Sequence, residues 1–213
     1  MSGDELDDID ARDARDRDSD SLIDEDIDAF DEDGDDEDDF DDDDDDDDFE
    51  DDPEDATVED IDLVVAAYRE DGEAVVVPLA MELANDLDEM ITQLGRLPGD
   101  TGAIGAVSIA GEFFVLVRVR GRQVEVLLSD SYAATTWTIA RDVADFLGQE
   151  PPEDDDDDFE AMGDVHIFAD LGISELDMEQ LMDSDEDSDQ LVAEVFDKIK
   201  FGPQFKRALA AQA

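Results

Sequence analysis

The sequence predicts an α+β fold: an antiparallel sheet in β-β-α-β-β-β-α order, with a disordered acidic N-terminus before it and a C-terminal helical annex after it. Three observations carry that expectation. Five short apolar runs are rich in strand-forming residues, and apolar residues recur with the helical period in the runs between and after them. Turn residues sit where the period changes. Charge is concentrated outside these runs, since 36 of the 70 acidic side chains fall in residues 1–60 beside only Arg12, Arg15 and Arg17.

Residues 1–60 therefore hold −33 of the formal net charge of −57. The stretch "DDFDDDDDDDDFEDD" at 38–52 is typical, with Phe40 and Phe49 bracketing an Asp run without giving it a core. So little apolar surface cannot offset the entropy of ordering, and closely spaced like charges extend the chain. A disordered tail is expected over 1–60.

The α+β domain is expected over 61–149. "IDLVVAAY" (61–68) and "EAVVVPLA" (73–80) are β-rich and flank Asp71-Gly72, a hairpin signal. Asp86 then precedes Leu87, Met90, Ile91 and Leu94, the spacing of a helix with one apolar stripe. Asp86 as N-cap with Glu89 three residues on resembles a capping box, and Gly95 is placed to end the helix. Three strands follow at 103–109, 112–120 and 122–129, joined by turns at Ala110-Gly111 and Gly121. Alternation puts Phe113, Val115, Val117 and Val119 on one face of the middle strand. Phe114, Leu116, Arg118 and Arg120 share the other, which turns polar toward its end. A second helix is expected from Trp137 to Leu147, with Ala140, Val143, Ala144 and Leu147 inward and Gly148 as its stop.

Residues 150–160 open on Pro151-Pro152 and run into Asp, the mark of an acidic linker. The annex spans 161–213. One helix starts at N-cap Ser174, with Ile173 and Met178 as a hydrophobic staple. Another carries Val192, Val195, Phe196 and Ile199, and Gly202-Pro203 breaks it to start a short terminal one. Too small to stand alone, the annex is expected to pack on the α+β domain.

Composition narrows the function. The chain has no Cys, so it has neither a disulfide framework nor a thiolate zinc site. No apolar run approaches the length of a membrane span, and no basic-then-apolar leader opens the chain. A cytoplasmic protein is expected. So negative a chain repels nucleic acid and anionic membranes, and attracts basic proteins and divalent cations. Direct nucleic-acid binding is not expected; the oligomeric state stays open.

Among candidate sites, "DSDEDSDQLVAE" (183–194) sets Asp183, Asp185, Asp187 and Glu194 at positions 1, 3, 5 and 12 of an EF-hand calcium loop. Ser188 replaces the turn glycine at position 6 and Gln190 the apolar residue at position 8, so a solvated loop competes with calcium. Arg118, Arg120 and Arg122 cluster at one hairpin beside Phe114 and Leu116 as a partner patch, unless they pair with the protein's own carboxylates. Lys198, Lys200, Lys206 and Arg207 form a second basic island. His166, the one histidine, lies among apolar neighbours, and Ser129-Asp130-Ser131 reads as a turn after a strand. No catalytic constellation, phosphate loop or cofactor motif emerges, so an enzyme is not expected.

"GAIGAVSIAGEFFVLVRVRG" (102–121), "LLSDSYAATTWTIARDV" (127–143), "ADLGIS" (169–174) and "FGPQFKRAL" (201–209) together resemble the actinobacterial tRNA adenosine deaminase-associated protein family. The resemblance runs over most of 61–212 and implies association with the deaminase, without catalytic residues to transfer. It does not make the chain the deaminase. That chemistry needs zinc on His and two Cys with a nearby Glu, whereas Ile167 and Phe168 follow His166 and Cys is absent. The leading expectation is a non-enzymatic accessory protein whose partner is the deaminase or another basic protein. A calcium-responsive helix-loop-helix at 183–194 is the alternative, and an uncharacterised enzyme a further one.

Overall fold

A β-hairpin comes first among the regular elements of the described residues. The computed structural model describes residues 52–99, 101–152 and 160–211. Strands β1 (Ile61–Glu70) and β2 (Glu73–Pro78) turn through Asp71 and Gly72, both at positive φ. After a 3-10 helix at Met81–Asn85 comes α1 (Leu87–Leu94), where the Asp86 carboxylate accepts from the Glu89 N–H at 2.8 Å. Strands β3 (Ala103–Ile109), β4 (Phe113–Arg120) and β5 (Gln123–Leu128) form the meander, and α2 (Thr138–Leu147) ends at left-handed Gly148. The α+β architecture and its antiparallel sheet are therefore as expected. A two-residue strand, β6 (Met162–Gly163), was not anticipated and lengthens the sheet to order β2-β1-β3-β4-β5-β6, antiparallel throughout.

Alternation along β4 sorts the core into two layers. Phe113, Val115, Val117 and Val119 meet Met90 and Leu94 of α1 and Val143 and Ala144 of α2. One glycine permits this approach: a Cβ on Gly105 would come within 2.8 Å of Leu94 Cδ1 and 3.2 Å of Met90 Sδ. Phe114 and Leu116 face the opposite side with Leu63, Val65 and Ala67 of β1. There the C-terminal segment packs, as α3 (Glu175–Met182), α4 (Ser188–Lys198) and α5 (Gly202–Ala210). The predicted stripe Val192, Val195, Phe196 and Ile199 is buried, as are Ile173 and Met178 of the predicted staple. Strands β1, β3 and β4 are nearly continuous apolar runs, and such strands require cover on both faces. The annex supplies the second cover.

Two expected boundaries fare differently. Residues 1–51 of the expected tail and residues 153–159 of the expected linker lie outside the described residues. Pro53 to Asp60, assigned to the tail from composition, instead lie on the domain. Glu54 bridges to Trp137, and the Ala56 N–H and C=O bond the Asn85 side-chain amide at 2.8 and 2.9 Å. Ala56 is buried there. A composition argument averages over such a segment and misses a few specific backbone bonds that hold it.

Candidate functional site

The polar groups buried in the sheet are the first place to look for chemistry, because burying them unpaired is costly. Arg118 on β4 is wholly buried although it points to the polar end of the second face. Its guanidinium forks onto Asp170, with Nη2 at 2.8 Å from Oδ2, and Nη1 also donates to the Ile167 carbonyl at 2.6 Å. Nη2 reaches the Thr101 carbonyl at 3.2 Å, and the group lies 6.0 Å from the Phe168 ring centroid. The hydrogen bonds from Arg118 hold the Asp170 carboxyl below the usual carboxylate range, with Arg118 and Arg120 adding charge attraction against the cost of burial. Arg120 bonds Glu125 at 2.7 Å.

These contacts place the three arginines of the candidate partner patch, Arg118, Arg120 and Arg122, in different surroundings. Arg118 is inside the protein, Arg120 is taken up by Glu125 and Asp170, and only Arg122 stands exposed on the β4–β5 turn. The cause is the annex, which brings Asp170 and Ile167 over a strand face that a lone sheet would leave open.

A second polar node lies where β3 meets α4. The buried hydroxyls of Ser108 and Ser188 bond each other at 2.7 Å, and Ser108 also bonds Asp62 at 2.9 Å. The same Asp62 oxygen accepts from Gly111 N–H at 2.8 Å, while the Ser188 N–H donates to the Gly111 carbonyl. Sequence reasoning missed this node. Ser108 inside an apolar strand was its only visible sign.

The candidate calcium ligands Asp183, Asp185, Asp187 and Glu194 run from the end of α3 into α4. Asp187 accepts from Gln190 at 2.8 Å, and Glu194 is paired with Lys198 at 3.1 Å along α4. Among the described residues no group of three or more His, Asp or Glu side chains is arranged to hold a metal ion. With Ser188 rather than glycine at the turn, its side chain is drawn inward to Ser108 and the chain enters α4 directly. His166 is exposed, 4.0 Å from Glu175. Ser129 accepts from the Phe114 N–H and Asp130 caps the Tyr132 N–H, so these are turn-forming groups. In the second basic island Lys206 bonds Asp197 at 3.0 Å, and Lys200 and Arg207 are exposed.

A recess of about 520 Å³ between α1 and α2 gathers Asp86, Asp88, Asp142 and Asp145 beside exposed Phe146. Burial pushes the Asp142 carboxyl above the usual carboxylate range, opposed by a bond from the Leu87 N–H and aided by repulsion from the other three. Thr138, also at its rim, has its hydroxyl on the Pro53 carbonyl.

The described polar clusters thus define an α+β protein whose buried polar groups join one layer to the next. Residues 62–202 match the family described as Rv3753c-like tRNA adenosine deaminase-associated protein, and the chain belongs to that family. It is 31% identical over 149 residues to Protein Rv3753c of Mycobacterium tuberculosis, covering 68% of this chain and 86% of that relative. No solved structure matches it. No helix among the described residues is long and apolar enough to cross a membrane.

Proposed function

We propose that the chain is a non-enzymatic, cytoplasmic accessory protein that binds a basic protein partner, with the tRNA adenosine deaminase as that partner. The observation that carries this reading is membership of a family described by association with the deaminase. Two further features support it. The buried polar side chains Arg118, Ser108 and Ser188 are spent on joining the annex to the sheet. The formal charge of −57 favours encounter with a cationic, RNA-handling protein and opposes contact with RNA itself.

The test is co-purification of the tagged full chain, and of a chain lacking residues 1–51, from its host. The cut belongs at 51 because Pro53 and Glu54 already bond the domain. Recovery of the deaminase with either form is the expected result. Absence of the deaminase and of any other basic protein from both would overturn the proposal.

A further inference from the structure

The sheet ends at β2, and the ladder there has a definite parity. The Leu79 N–H donates to the Val64 carbonyl at 2.9 Å. With Ala66 opposite Val77 and Tyr68 opposite Val75, the backbone groups of Val75 and Val77 turn toward β1. Those of Ala74 and Val76 therefore turn to the open side. No hydrogen bond from another described residue reaches them. Pro78, which has no N–H to offer, closes the far end of this edge.

The surroundings fit a guest strand of particular chemistry. Tyr68, Val77 and Ile91 are only partly buried on the first core, and Ala74 and Val76 only partly on the second. Glu70, Asp71 and Glu73 stand exposed at the near end, and Glu82 just beyond the far end. Of the nearby cations, Arg69 is folded over the Phe201 ring at 4.8 Å and Lys206 is on Asp197, leaving exposed Arg96, Lys200 and Arg207, none of them on the hairpin itself.

We propose that the free edge of β2 docks a cationic β-strand of a partner protein. The strand has alternating β-branched residues that continue the two apolar faces, and flanking Lys or Arg that meet the acidic hairpin tip. Backbone bonds to Ala74 and Val76 give the affinity, and the flanks give the selectivity. A second copy of the chain is the poorer occupant, because it brings another −57 of like charge to the contact. This inference rests on the protein-binding reading above and adds the surface to it.

The experiment uses the full chain and a fluorescent nine-residue probe peptide, Lys-Arg-Val-Thr-Val-Thr-Val-Lys-Arg, followed by anisotropy in roughly physiological salt. Its control is the same peptide N-methylated at alternate residues, which keeps charge and side chains but removes the ladder donors. The plain peptide should bind at least about tenfold more tightly, and hydrogen exchange should slow at the Ala74 and Val76 amides. Equal binding of the two peptides would reduce the effect to general attraction to a polyanion and overturn the proposal. So would sedimentation showing a dimer that the peptide dissociates, since the edge would then belong to a second copy. The peptide contrast and the co-purification fail separately: a lost deaminase with the contrast intact overturns only the deaminase assignment.

Discussion

At the residue scale, Arg118 and Asp142 show one solvent argument with opposite outcomes. Arg118 is fully buried but meets a carboxylate and two carbonyls, whereas Asp142 is half-buried among three other aspartates. Removing the partner of a buried charge costs more than removing the charge itself. Asp170→Ala should therefore cost about 2 kcal/mol in urea unfolding, and Arg118→Met distinctly less. The Asp170 side chain is 50% exposed, so water can reach the gap, which keeps the loss near that figure. The two aspartates also bend the pH profile in opposite directions. The folded pKa of Asp170 is depressed, so its contribution is complete above the ordinary carboxylate value and is lost as pH falls through the lower folded value. The folded pKa of Asp142 is raised, so it costs stability at neutral pH and that cost disappears as pH falls through the raised value to below the ordinary one. Asp142→Asn should accordingly raise the thermal midpoint at pH 7, with the gain vanishing in acid.

At the scale of elements, the annex is tied to the sheet at two points as well as by its apolar stripe. One is Arg118 with Asp170 and Ile167; the other is Ser108 with Ser188, Asp62 and Gly111. Ser108→Ala and Ser188→Ala should couple by about 1 kcal/mol in a double-mutant cycle, because both remove the same buried bond. Additive losses would mean that the two hydroxyls act separately. Without the annex, Leu63, Val65, Phe114 and Leu116 would face water. A chain ending at residue 152 should therefore aggregate, which pelleting after expression would check, while the full chain stays in solution.

The elements were well legible in the sequence where periodicity and capping agree. Asp86 caps α1, Ser174 caps α3 in a full capping box with Asp177, and Pro203 lies in the first turn of α5, each at a position that local chemistry marks. The β6 strand was not legible, because Met162-Gly163 has no period and exists only by pairing with Leu127 and Leu128. The role of Arg118 was hidden for a related reason. Its spacing beside Arg120 and Arg122 reads as a surface patch until Asp170, 52 residues away, is placed over it.

For the molecule as a whole, charge is the dominant constraint. Residues 1–51 hold 31 of the 70 acidic side chains, and the rest of the chain is acidic as well. Such self-repulsion opposes compaction and is screened by salt. The melting temperature of the full chain should thus rise more steeply with sodium chloride than that of a chain lacking residues 1–51. Parallel salt curves for the two would show that these residues do not act on the fold electrostatically.

The sequence by itself determined the charge distribution, the strand and helix segments and the β4 alternation that builds two apolar faces, because each follows from local period and composition. Tertiary structure alone decided what covers the second face, which arginine is buried, and that β2 ends the sheet. Those outcomes depend on contacts between residues distant along the chain, such as Arg118 with Asp170 and Ser108 with Ser188, and no local pattern encodes them.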